Sequence, residues 1–173
     1  MIKVQPLHGG HDRNGFDCGI DALNRWLRQT AKQHQAKGIS RTFVAAPASP
    51  EAVAYYHAHG YGDIGESTIL GYYALAAAFV SAGNLASEIA RRYPRGVPVT
   101  RLGRLATRRD LQGQRLGRFL LADAVTRSRN AALSVGSAGI FVDAKDDDAA
   151  KFYRQYGFSS CEEDGFKLYL PMW

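Results

Sequence analysis

Residues 102–121 read Leu102-Gly103-Arg104-Leu105-Ala106-Thr107-Arg108-Arg109-Asp110-Leu111-Gln112-Gly113-Gln114-Arg115-Leu116-Gly117-Arg118-Phe119-Leu120-Leu121. An apolar run, Val97 to Thr107, predicts a strand. A charged loop follows from Arg108 to Gly113. Leu116, Leu120, Leu121, Ala124 and Val125 then form the apolar stripe of a helix running to about Val135. A strand that enters a helix through a glycine-bearing loop exposes several unpaired N–H groups at the positive end of the helix dipole, a ready anion site. The same pattern also suits an ordinary strand–helix turn. Gly113 and Gly117 would let backbone approach a ligand closely. There is no Gly-Lys-Ser/Thr of the kinase-type phosphate loop, and no Gly-x-Gly-x-x-Gly.

Charge points the same way. The chain has 173 residues, a length suited to one domain, and a formal charge of +6. Sixteen of its 22 basic residues are arginine. Eleven of these lie between Arg91 and Arg129, opposed there only by Asp110 and Asp123, so this block carries +9 and the remainder −3. Arginine forks bidentately onto phosphates, so the block suggests a polyanionic partner, or else a solvated arginine-rich surface. The 46% hydrophobic fraction excludes disorder. No apolar run approaches the ~20 residues of a membrane span, and Met1-Ile2-Lys3-Val4 opens no secretory signal. Cys18 and Cys161 read as idle thiols of a cytoplasmic protein.

Outward from the central stretch, Ile2–Leu7, Arg41–Ala46, Ile69–Val80, Ala138–Ala144 and Phe166–Leu170 read as further strands. Ile20, Leu23, Trp26, Leu27 and Ala31 share one face of a helix, with Trp26 in the core. Leu85–Arg92 reads as a short helix. Asp146–Tyr156 is a helix with acidic residues in its first turn. Residues 47–66 read as a loop insertion, with at most a turn of helix at Ala52–Tyr56. Its His57 and His59 have no acidic or cysteine cluster beside them, so no metal is expected. The class is α/β (α+β): one domain over residues 1–173, with a mixed, mostly antiparallel twisted sheet of about six strands and helices on both faces.

Gln112-Gly113-Gln114-Arg115-Leu116-Gly117 resembles the pyrophosphate loop of GNAT N-acetyltransferases, (Gln/Arg)-x-x-Gly-x-(Gly/Ala), with Arg115 in place of the middle glycine. A right-handed helix start at Arg115 would keep its N–H aimed at the pyrophosphate. Asp143 to Phe158 is similar to the closing block of that family. Asp146 stands where the family often has asparagine, and Phe152-Tyr153 precedes Gly157-Phe158. Phe16-Asp17-Cys18-Gly19-Ile20-Asp21-Ala22-Leu23-Asn24-Arg25-Trp26-Leu27 looks like the signature of GNAT toxins from bacterial type II toxin–antitoxin modules.

The resemblance implies an acetyl-CoA-dependent acyltransferase that acetylates the α-amino group of aminoacyl-tRNA and so stops translation. It implies acetyl-CoA contacts at Leu105, Ala106, Thr107, Gln112, Gly113, Gln114, Arg115, Leu116, Gly117, Arg118, Asp146 and Phe152. Tyr153 would serve the departing sulfur, with Tyr156 as its rival. Arg91, Arg92, Arg95 and Arg101 would grip the tRNA, while Arg104, Arg115 and Arg118 could be spent on the cofactor or on the fold. The implied partner is a small antitoxin, commonly ribbon–helix–helix, through which alone operator DNA is met. A homodimer is compatible with the reading. A small amine or a protein N-terminus is an alternative substrate, and a catalytically inactive nucleic-acid-binding module is the alternative class.

Overall fold

The computed structural model describes residues 1–173. Seven strands form one sheet in the order β1-β2-β3-β4-β5-β7-β6. By contacts the chain falls into two compact units, Met1–Ala74 with Arg104–Asp123, and Leu75–Gly103 with Ala124–Trp173.

In the first unit, β1 (Ile2–Pro6) pairs antiparallel with β2 (Arg41–Pro47), Ile2 opposite Pro47. Between them stand α1 (Asp21–Gln29) and α2 (Ala31–Ala36). The single helical face read from the sequence is divided here. Thr30 leaves helical geometry at φ −121°, its N–H still bonded to the Trp26 carbonyl. Trp26, Leu27 and Ala31 nevertheless reach one core, with Leu7, Phe16, Val44, Ile69 and Tyr72. Buried apolar surface of this kind contributes roughly 1.5–3 kcal/mol per large side chain.

The segment expected to be a loop contains α3 (Pro50–Ala58), nine residues long. Its start is locally encoded. The Ser49 hydroxyl accepts the Ala52 N–H, and Pro50 occupies the first turn, where a missing donor costs nothing. Ala52 and Tyr56 are buried. His57 and His59 spend ring nitrogens on the carbonyls of Ile64 and Tyr55.

The second unit is built around β5 (Gly139–Asp143). It runs parallel to β4 (Gly96–Thr107), with Thr100 opposite Ile140, and antiparallel to β7 (Lys167–Pro171). The seventh strand, β6 (Ser159–Ser160), pairs with β7 and is too short to leave a periodicity in the sequence. β3 (Gly71–Ser81) and α5 (Leu116–Ala132), like β4, have residues in both units. The core of the second unit is Val80, Leu85, Val97, Val99, Phe141 and Tyr169. The helix expected at Leu85–Arg92 shrinks to α4 (Ser87–Ala90). Both cysteines are buried and unpaired. No helix is long and apolar enough to cross a membrane.

Candidate active site

In the first unit β4 ends at Thr107, and the Arg108 N–H bonds to the Leu70 carbonyl at 2.9 Å. A 3-10 turn, Arg109–Leu111, buries Leu111. The chain then turns out through Gly113, at φ +82°, a left-handed geometry that glycine adopts without steric cost. The α5 helix begins at Leu116, and the Phe119 N–H already bonds to the Arg115 carbonyl. A helix start thus lies beside the exposed residues Gln112–Arg115, an arrangement that suits a pyrophosphate.

One expectation fails here. Arg115 is not in a right-handed helix start; its φ is +65°. It takes the left-handed conformation that a glycine would take there. The backbone path is kept and the side chain bears the strain, of order 1–2 kcal/mol.

The loop is anchored from the N-terminal motif. The Gln112 amide donates to the carbonyls of Cys18 (3.0 Å) and Thr107 (3.4 Å), so its side chain serves the loop's own geometry. The Arg109 N–H bonds to the Asp17 carbonyl, and its guanidinium lies 3.5 Å from the Asp17 carboxylate. Asp17 also accepts from Gly19 N and from the Asn24 amide, bonds that hold its carboxyl below the usual range. Asn24 in turn accepts from Cys18 N at 2.9 Å. The Phe-x-Cys-Gly segment is therefore a bracket for the loop that leads into α5. That coupling spans 94 residues between Cys18 and Gln112 and leaves no local periodicity.

Leu105, Ala106 and Thr107 form the last residues of β4, Ala106 buried and the others half-buried. Leu116 is buried, Gly117 half-buried, and Gln114 and Arg118 exposed. Arg104 is spent on the fold: its guanidinium lies 4.1 Å above the Trp26 ring, and burial lowers its pKa.

In the second unit α6 (Asp147–Gln155) carries Tyr153, and Tyr156 follows as its C-cap. Asp146 caps it, its carboxylate accepting Ala149 N at 2.8 Å. One carboxylate oxygen thus serves the helix, while the residue itself is exposed. Tyr153 is 7% exposed, its ring set against Phe152 and Phe158. Burial alone raises its hydroxyl pKa far above the ordinary phenol value, so it stays protonated. No protein group hydrogen-bonds that hydroxyl, and it is not among the fully buried side-chain atoms without a partner, which belong to Ser40, Thr42 and Ser128. Tyr156, half-buried, packs its ring on Phe152.

Arg91, Arg92 and Arg95 are exposed in the same unit and form no ion pair. Arg101, also exposed, pairs with Asp143 at 3.0 Å, both side chains about half exposed, and its guanidinium lies 5.7 Å from the Phe141 ring.

Comparison with known proteins identifies the family. The acetyltransferase (GNAT) domain model matches residues 70–172. A Mycobacterium tuberculosis protein named tRNA-acetylating toxin is 33% identical over 161 residues, covering 93% of this chain and 86% of the relative. Among solved structures, AtaT complexed with acetyl-methionyl-tRNAfMet is 30% identical with a TM-score of 0.81, over 99% of this chain and 95% of that one. A tyrosine-to-phenylalanine variant of AtaT, bound to the C-terminus of the antitoxin AtaR and acetyl-CoA, is 29% identical with a TM-score of 0.75, over 99% and 93%. The chain belongs to the GNAT acetyltransferase family, in the group that includes the tRNA-acetylating toxins.

Proposed function

We propose that this protein is a toxin that transfers the acetyl group of acetyl-CoA to the α-amino group of an aminoacyl-tRNA. The blocked amine cannot attack in peptide-bond formation, and translation stops. The likeness to the M. tuberculosis tRNA-acetylating toxin over nearly the whole chain carries the choice of substrate.

The start of α5 and the loop Gly113–Arg118 hold the pyrophosphate of acetyl-CoA, chiefly through backbone N–H groups. The end of β4, Leu105–Thr107, supplies N–H groups that polarise the thioester carbonyl. The α-amine of an aminoacyl ester titrates near or below ~8, so its neutral form attacks without a dedicated strong base. The N–C bond forms and the C–S bond breaks. The proton lost from the ammonium of the new amide ends on the thiolate.

Tyr153 serves that sulfur, as the family resemblance implies. A thiol titrates near ~8.5, well below the buried phenol. Tyr153 therefore acts as a hydrogen-bond donor that steadies the thiolate, and net proton transfer draws on the ammonium. Arg91, Arg92 and Arg95 bind the tRNA backbone. A small antitoxin, of ribbon–helix–helix type, neutralises the toxin and links it to operator DNA. The likeness to the AtaR-bound AtaT structure supports such a partner. The reading places the protein in the cytoplasm, with residues 1–173 as one catalytic domain able to form a homodimer.

Incubation with labelled acetyl-CoA and charged tRNA should give RNase-sensitive label. Equal labelling of a small amine or a peptide N-terminus without tRNA would replace this substrate.

A further inference from the structure

Segment 59–64 lies between α3 and β3 and belongs to none of the motifs that mark the family. Its side chains nevertheless meet the phosphate loop at three points. The Tyr61 hydroxyl donates to the Asp110 carbonyl at 3.2 Å. The same hydroxyl accepts from the Gln114 amide at 3.0 Å. One phenol therefore joins the 3-10 turn before Gly113 to the residue after it. The third point is Asp63, whose carboxylate lies 3.1 Å from the Arg108 guanidinium. Arg108 is 8% exposed and pairs also with Asp110 at 2.6 Å. These partners raise its pKa, the Asp110 hydrogen bond most.

The segment is itself well held. Ile64 is 1% exposed, and its carbonyl bonds to the His57 ring at 2.7 Å. The Tyr61 N–H bonds to the carbonyl of Tyr56, which is buried. Tyr61 and Asp63 are thus placed before any ligand arrives. The loop they meet contains two left-handed residues, Gly113 and Arg115, one on each side of Gln114. Such a loop keeps its N–H groups convergent only if its flanks are fixed, because each residue left free costs about 1–2 kcal/mol to order on binding.

We propose that Tyr61 and Asp63 are positioning residues for acetyl-CoA: they clamp the two flanks of the phosphate loop so that the cosubstrate binds a preformed cradle. The inference rests on the acetyl-transfer reading. Neither residue touches the reacting atoms, so the effect falls on acetyl-CoA affinity and not on the chemical step.

The test uses the full-length protein, with acetyl-CoA binding by calorimetry and steady-state kinetics in both substrates. Tyr61→Phe keeps the ring and removes both hydrogen bonds. It should raise the Kd and KM for acetyl-CoA about three- to tenfold, as expected for one or two lost hydrogen bonds. The kcat at saturation, the KM for aminoacyl-tRNA and the melting temperature should stay at wild-type values. Asp63→Asn should act in the same direction, and Asp63→Glu should restore affinity. Acetyl-CoA constants within twofold of wild type in both Tyr61→Phe and Asp63→Asn would overturn the inference alone. Wild-type protein that fails to bind acetyl-CoA would overturn the acetyl-transfer reading and this inference with it.

Discussion

The Arg104 guanidinium lies 4.1 Å above the ring of Trp26, joining the end of β4 to the N-terminal helix α1. One arginine of the basic block is therefore part of the hydrophobic core's lid and not of any polyanion surface. A cation over an indole is worth about 0.5–2 kcal/mol, the upper end when desolvated. Arg104→Ala is expected to lower unfolding stability by about that amount in denaturant titration. Arg104→Lys should recover only part of it, because an ammonium cannot stack its plane on the ring. An Arg104→Ala protein as stable as wild type would show that the contact contributes nothing net.

Arg115 offers an inverse case. At φ +65° it bears a strain that glycine would not. Arg115→Gly should leave the melting temperature unchanged or raised, since relief of about 1–2 kcal/mol offsets the greater chain entropy of glycine. Arg115→Val should fall below wild type, because a β-branched residue is least at ease at positive φ. If backbone N–H groups bind the pyrophosphate, Arg115→Gly also retains acetyl-CoA affinity within a fewfold. Loss of stability in the glycine variant would mean that the arginine side chain holds the loop.

Tyr153→Phe separates hydroxyl from ring. The ring packs against Phe152 and Phe158, while the hydroxyl has no bond within the protein. The variant should fold with wild-type stability, bind acetyl-CoA, and lose toxicity in a growth assay. Removing a single transition-state donor costs roughly 100- to 1,000-fold in kcat. Undiminished growth arrest would move the role to Tyr156 or to positioning alone.

Residues 102–121 could be read because their pattern is local: an apolar strand, a glycine, then a stripe at helical spacing. The order of the major elements followed for the same reason, as did the burial of Trp26. What escaped the sequence is non-local or very short. Tyr61 and Asp63 meet the phosphate loop 45–53 residues away in the chain, and β6 is two residues long. The pairing of Arg101 with Asp143 joins positions 42 apart. Arg115 could be seen as a departure from glycine, but its backbone conformation could not. Helix α3 is different, since Ser49-Pro50-Glu51 is a local start signal that the following glycines obscured.

Acid should destabilise the fold through His11, which is 5% exposed. Its Nδ1 accepts the His8 N–H, and its Nε2 lies 2.7 Å from the Gln5 amide. Burial, then the neighbouring charges of His8 and Lys3, lower its pKa from 6.5 to about 4. Between those values the unfolded chain binds a proton that the folded chain does not, so stability rises with pH across this window and falls on acidification. Above about pH 7 both states are neutral and the contribution is constant. Denaturant midpoints measured from pH 7 to 4 should show a decline of the order of 2 kcal/mol that is reduced in His11→Gln. An identical decline in that variant would assign the acid sensitivity to other groups.

The exposed arginines give the last test. Arg91 and Arg92, proposed for the tRNA, lie in the second unit, and Gly113–Arg118, proposed for acetyl-CoA, in the first. Charge reversal at Arg91 and Arg92 to glutamate should weaken aminoacyl-tRNA use strongly while leaving acetyl-CoA binding near wild type. It should also flatten the salt dependence of the tRNA KM, since each lost phosphate contact reduces that slope by about 1. Arg101→Glu should have a smaller effect on tRNA use, because Arg101, unlike Arg91 and Arg92, already has a carboxylate partner in Asp143. Parallel loss of both substrates in the Arg91/Arg92 variant would overturn this division of labour, and an Arg101 effect equal to theirs would restore Arg101 to the RNA surface.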